Sequence, residues 1–179
     1  MACRRLAALA AATMMLASTG ASHAASAGPV NWKDGKDPKA VIDLRKVTIG
    51  YGSEMYADVK FKRSEWGSDF PEQTDMVVWF NTDKDRKPEF RMRLRDGGAV
   101  YKVNKWGLSG GKELSGCFGV AQAFSATDVS FSMDSSCGKG IKRFKVHVGS
   151  FFTGDGPAPD AKDHAPDKAK GWSKAIAVK

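Results

Sequence analysis

Asn81, Asp83 and Asp85 stand at every second position of the stretch Asn81-Thr82-Asp83-Lys84-Asp85-Arg86-Lys87-Pro88-Glu89. Oxygen ligands have this spacing at the start of many calcium loops. An EF-hand-like loop, however, has glycine where Arg86 stands and a bidentate acid where Met92 stands. Lys84, Arg86 and Lys87 also set positive charge beside a bound cation. The competing reading is a polar hairpin turn, in which Asn and Asp favour turn conformations and bond to nearby backbone. Calcium at Asn81, Asp83 and Asp85 is the single cofactor weighed for this chain, and none other is expected.

Two further groups carry charge or aromatic surface. Arg91, Arg93 and Arg95 form a basic stripe along one strand face, and Lys60 and Lys62 form another on a different strand. If the two faces share a sheet they make a cationic patch suited to a cell-wall polymer or an acidic glycan. The alternative is a solvated face that keeps sheet edges soluble. Trp66, Phe70 and Trp106 lie in or beside loops. There they stack on sugar rings or, as more aromatics do, cap the ends of a core. Trp79 is expected in the core.

Hydrolytic chemistry finds little support. A triad needs His147 or His164, yet His147 sits mid-strand between Val146 and Val148. His164 falls in a polar segment beside Asp163, where a fixed imidazole is not expected. There is no Gly-x-Ser-x-Gly elbow and no histidine–cysteine cluster of the kind that holds zinc. A carboxylate pair brought together from distant positions is left open by sequence.

The elements that would position these groups are strands. Met55, Ala57, Val59 and Phe61 alternate with Glu54, Tyr56, Asp58, Lys60 and Lys62, the period of a strand with one buried face. Val41 to Ile49 precedes it across a Gly50–Ser53 turn, so the pair reads as a hairpin. Met76 to Phe80 is apolar throughout, as in a strand buried on both sides. Phe90, Met92 and Leu94 alternate with the arginines, and 99–106, 118–124, 129–133, 141–152 and 172–178 complete the set. Residues 153–171 read as an exposed polar loop. The expectation is an all-β fold, an antiparallel β-sandwich of about eight strands; a barrel is the alternative that periodicity leaves open.

The N-terminus reads as a secretory signal peptide: Cys3-Arg4-Arg5, an apolar run from Leu6 to Ala17, then small residues at cleavage spacing, giving a leader of 1–24 or 1–27. Cys3 precedes the apolar run, which argues against a lipid anchor. Arg4-Arg5 admits a twin-arginine route, but Leu6-Ala7-Ala8 lacks its usual flanking pattern, so the general route is expected. Residues 25–39 would then be an exposed segment and 40–179 one domain. The mature chain would keep 26 of the 28 basic residues against 20 acidic ones. It would contain no membrane span and work extracellularly. Export leaves Cys117 and Cys137 as a pair in an oxidising compartment. Their indices sum to 254, centred on Thr127 within the Ser125–Thr127 turn, so a hairpin places them opposite one another. A structural disulfide is expected.

The pattern Val77-Val78-Trp79-Phe80-Asn81-Thr82-Asp83, then Pro88-Glu89-Phe90, resembles a group of uncharacterised secreted actinobacterial proteins with an Asp-Thr-Asp-type turn followed by Pro-Glu and an aromatic. Asp37-Pro38, Cys137-Gly138 and Asp163-His164-Ala165-Pro166 extend the likeness over most of the mature chain. Asn81 replaces the usual first Asp. The resemblance implies a β-sandwich and no particular activity. The functional expectation is a secreted, non-enzymatic binding module for an anionic surface polymer or glycan, with no nucleic-acid partner. A glycan-active or hydrolytic enzyme, or a purely structural wall-associated protein, are the alternatives.

Overall fold

The computed structural model describes residues 29–35, 42–63, 74–138, 140–152, 162–166 and 171–178. The expected leader, and Trp66 and Phe70, lie outside the described residues. The strands are β1 (Val30–Lys33), β2 (Ile42–Tyr51), β3 (Glu54–Arg63), β4 (Thr74–Asn81), β5 (Phe90–Arg93), β6 (Val100–Lys102), β7 (Lys112–Glu113), β8 (Gly119–Ala123), β9 (Asp128–Asp134), β10 (Arg143–Phe152), β11 (Lys162–Ala165) and β12 (Ile176–Ala177). They form an antiparallel β-sandwich. One sheet runs β1-β2-β3-β9-β8; the other runs β11-β10-β4-β5-β6-β7, with β12 paired to the start of β10. Among the described residues no helix is long and apolar enough to cross a membrane.

Strand pattern and burial agree closely. Met55, Ala57, Val59 and Phe61 of β3 are all in the core. In β2 the apolar positions change phase, from Ile42 and Leu44 to Val47 and Ile49. The register between β2 and β3 shifts between Leu44 and Lys46. Arg45 is the extra residue of a bulge, which keeps both halves of the strand facing inward. Phe131 and Met133 complete this side, and Met76, Val78, Phe80, Met92, Phe144, Val146 and Val148 face them from the second sheet. At one corner the sheets touch through backbone. Gly98 has φ +96°, and a Cβ there would collide with the main chain of Val120 and Ala121, so only glycine fits.

More strands form than the period-two pattern suggests. β1 arises within the segment expected to lie outside the domain, pairing Val30 to Lys33 with Lys46 to Ile49. β11 arises within the expected loop 153–171 and pairs with β10. Both are short edge strands whose backbone pairing does not need an apolar repeat. Two polar side chains join the sheets: Asp163 Oδ2 accepts from Leu44 N at 2.6 Å, and Ser150 Oγ donates to Ile42 O at 2.8 Å.

Cys117 and Cys137 form a disulfide with Cα atoms 4.9 Å apart. The β8–β9 register, however, pairs Gly119 with Met133 and Ala123 with Val129, two residues off the expected index sum. The one-turn 3-10 helix Ser135–Cys137, capped by Asp134 accepting from Ser136 N, takes up the difference. Mass spectrometry after alkylation of the native, non-reduced protein should find neither cysteine modified. The paired Cys117→Ser/Cys137→Ser change should lower stability by about 3 kcal/mol, the loop-entropy value for a separation near 20 residues. An unchanged unfolding midpoint in that variant would show that the crosslink contributes nothing.

Candidate functional site

β4 and β10 pair in the middle of the second sheet, Trp79 opposite His147. Their inward residues fill the core; Val77, Trp79 and His147 face the other way and are still buried. Trp79 is therefore buried, as its sequence implies, but against the outer face of the sheet. Its cover comes from two loops. Trp106 packs on Trp79 at 5.5 Å and on His147 at 5.0 Å between ring centroids, and Trp172 packs on Trp106 at 4.8 Å. Trp106 is half-buried and does not cap a sandwich end.

The expected basic stripe holds this cover in place. Arg91 is buried, donating through Nη1 to Gly107 O at 3.1 Å and through Nη2 to Gly110 O at 2.9 Å, with Tyr101 stacked 5.0 Å from its Cζ. Arg93 pairs with Asp75 through Nε at 2.6 Å and Nη2 at 2.5 Å, and reaches Leu108 O at 3.3 Å. Arg95 is exposed in the turn after β5. Lys60 and Lys62 lie on β3, in the other sheet, and Lys60 pairs with Asp128 at 3.2 Å. The five cations thus do not share a sheet. Arg91 and Arg93 are committed internally because a Gly-rich loop with positive-φ glycines at 107, 110 and 111 turns its carbonyls toward them.

The histidines are brought together. His164 lies on β11, beside β10. His147 Nδ1 meets Gly171 O at 2.7 Å, and its Nε2 meets His164 Nδ1 at 3.1 Å. A carbonyl only accepts, so Nδ1 of His147 carries the proton and the neutral ring accepts from His164 Nδ1–H. Burial, then the neighbouring His164, push the His147 pKa down to about 3; the bond to Gly171 opposes this. Burial and then Lys162 also lower His164. The His147 and His164 rings meet Gly171 O, each other and the aromatic rings of Trp79, Trp106, Phe151 and Trp172. The pair therefore fixes the chain at Gly171 over the sheet. The sequence signal for this was faint: a single histidine in an apolar strand, whose ring needs two partners if buried.

The turn after β4 is closed by its own polar groups. Asn81 is fully buried, and its Nδ2 donates to Asp85 O at 2.9 Å and Lys87 O at 2.8 Å. Asp83 accepts from Asp85 N, Asp85 from Lys87 N, and Glu89 Oε2 from Thr82 N at 2.6 Å. Carboxylate oxygens of Asp83, Asp85 and Glu89 lie within 4.8 Å of one another. Glu89, absent from the expected ligand set, is thus the third acid. Its pKa is raised, first by burial, with Asp83 and Asp85 adding to the rise against the opposing bonds from Thr82.

Beside the second sheet is an open cleft of about 340 Å³ between β1 and the 171–178 segment. Trp32, Trp172, Val30 and Pro166 give its apolar walls, and Asn31, Lys33, Asp34, Ser173 and Lys174 its polar rim. Trp172 is held there by Nε1 donating to Arg86 O at 3.2 Å. The Trp32 indole nitrogen is buried without a partner.

Asp75 is fully buried, so removing its cation strands a charge. Arg93→Met should cost about 3 kcal/mol, and adding Asp75→Asn should recover part of it; equal stability of all three proteins would contradict the pairing. For His147, the unfolded chain binds a proton below pH 6.5 that the folded chain refuses until about pH 3. Its contribution is therefore fully present above pH 6.5 and lost as pH falls, at up to ~1.4 kcal/mol per unit. The loss of stability between pH 6.5 and 4.5 should be shallower in His147→Gln; parallel curves would count against it. No family model matches this chain, and no curated protein or solved structure matches it.

Proposed function

We propose that this chain is a secreted, non-enzymatic binding module that holds an acidic glycan, or the sugar units of an anionic wall polymer, in the cleft between β1 and the 171–178 segment. The observation that carries the reading is the pairing of two indoles, Trp32 and Trp172, with two lysines, Lys33 and Lys174, around one cleft. Pyranose rings present apolar faces that pack on indoles, and lysines on the rim attract carboxylates or phosphates. The volume falls in the range of small-ligand sites. Trp172 is preorganised: its ring rests on Trp106 and its N–H is bonded, so little ordering is required on binding. Work outside the cytoplasm fits the disulfide and the leader-like N-terminus.

The basic patch of this reading is therefore Lys33 and Lys174, since Arg91 and Arg93 are engaged inside the fold. Affinity electrophoresis in gels containing polygalacturonate, with dextran as the neutral control, tests it. Retardation by polygalacturonate should weaken with salt. Lys33→Glu/Lys174→Glu changes two exposed side chains and should reduce affinity about five- to tenfold without shifting the melting temperature. Retardation that is absent, or that survives the double reversal, would overturn the reading.

A further inference from the structure

We infer that the loop between β4 and β5 is a calcium site built from the side chains of Asn81, Asp83, Asp85 and Glu89. This inference is independent of the glycan reading. Each of the three carboxylates binds one backbone N–H of the loop through a single oxygen: Asp83 Oδ1 from Asp85, Asp85 Oδ1 from Lys87, and Glu89 Oε2 from Thr82. The second oxygen of each is left for another partner. Three acids whose ligand atoms lie within 4.8 Å repel one another, and the loop's own hydrogen bonds hold them in that arrangement.

Asn81 supplies the independent indication. Its side chain is fully buried, and both Nδ2 bonds run to carbonyls of the loop, which places the carboxamide inside it. Its Oδ1 is buried with no hydrogen-bond partner. A buried acceptor without a donor is costly, and a cation resolves that cost together with the repulsion among the acids.

The donor set is all oxygen, which selects a hard cation over a transition metal. Calcium tolerates irregular geometry and completes its shell with water, whereas magnesium demands a near-ideal octahedron. The spacing also answers the objection raised by the EF-hand pattern. Glu89 provides the third acid three residues before Met92, so neither a glycine at 86 nor an acid at 92 is needed. Lys84, Arg86 and Lys87 are exposed and weaken the site without blocking it. Binding should fall in the range of extracellular modules, about 10⁻⁴ to 10⁻³ M.

Terbium serves as the probe, because the Trp172 indole touches the loop at Arg86 O, 3.2 Å away. Excitation of tryptophan in the mature protein should produce sensitised terbium emission that calcium displaces, and calorimetry with calcium chloride should show saturable heat. Asp83→Asn/Asp85→Asn should weaken calcium binding at least about tenfold. Glu89→Gln keeps an acceptor for Thr82 N–H and should weaken it too, which guards against a double variant that fails to fold. No emission and no heat up to about 10 mM calcium, or unchanged affinity in a folded Glu89→Gln protein, would overturn the site.

Discussion

The second sheet must hide both of its faces, and most of the structure follows from that. β4 is buried along its whole length, and β10 places Val146 and Val148 in the core while His147 faces outward and is just as buried. A sandwich of two sheets covers only the inner face. The outer face of this one carries Val77, Trp79 and His147, which would otherwise meet water. The chain solves this with two irregular segments laid across the strands, one bearing Trp106 and one bearing Trp172. The first has no ladder of its own across this face, and the second has only the two-residue pairing of β12 with β10 and a backbone bond from Ser173 N to Val146 O. Each is held by a side chain rising from the sheet: Arg91 and Arg93 grip the first through carbonyls at 107, 108 and 110, and His147 grips the second at Gly171.

The candidate sites are by-products of that cover. Trp172, fixed over the sheet, becomes one wall of the cleft against β1. Its N–H reaches the 81–89 loop, so the cleft and the acidic loop share one indole. The His147–His164 pair is a fastening of the same kind, kept neutral by burial. A charged imidazolium at that place would break the acceptance from His164 while standing in an aromatic surround.

How much of this was legible in the residues depended on range. Strand positions that bury one face were readable from alternation, as in Met55 to Phe61, and the disulfide was readable even though its register was displaced by a 3-10 turn. That β4 is hidden on both faces was readable from the unbroken apolar run Met76 to Phe80; what covers its outer face was not. Arg91 and Arg93 carry a strong polar signal, and their carbonyl acceptors, at Gly107, Leu108 and Gly110, lie 15 to 19 residues away. β11 has no apolar repeat, because Lys162-Asp163-His164-Ala165 owes its place to pairing with β10. The acidic loop was half readable: the alternating Asn81, Asp83 and Asp85 announced it, while Glu89 looked like the beginning of the next strand.

The ties that hold the outer cover end on main-chain carbonyls: Gly107, Gly110 and Gly171, and Arg86 beneath Trp172. A carbonyl is present whatever residue occupies the position. Substitutions of the side chain at position 86 leave the bond from Trp172 available, so that end of the tie is free to drift over evolutionary time. Arg91, His147 and Trp172 have no such latitude. In an alignment of descendants, Arg91 and Trp172 would stand as fixed columns while the positions that accept their bonds vary, and His147, bonded also to His164, would keep a side-chain partner to vary with.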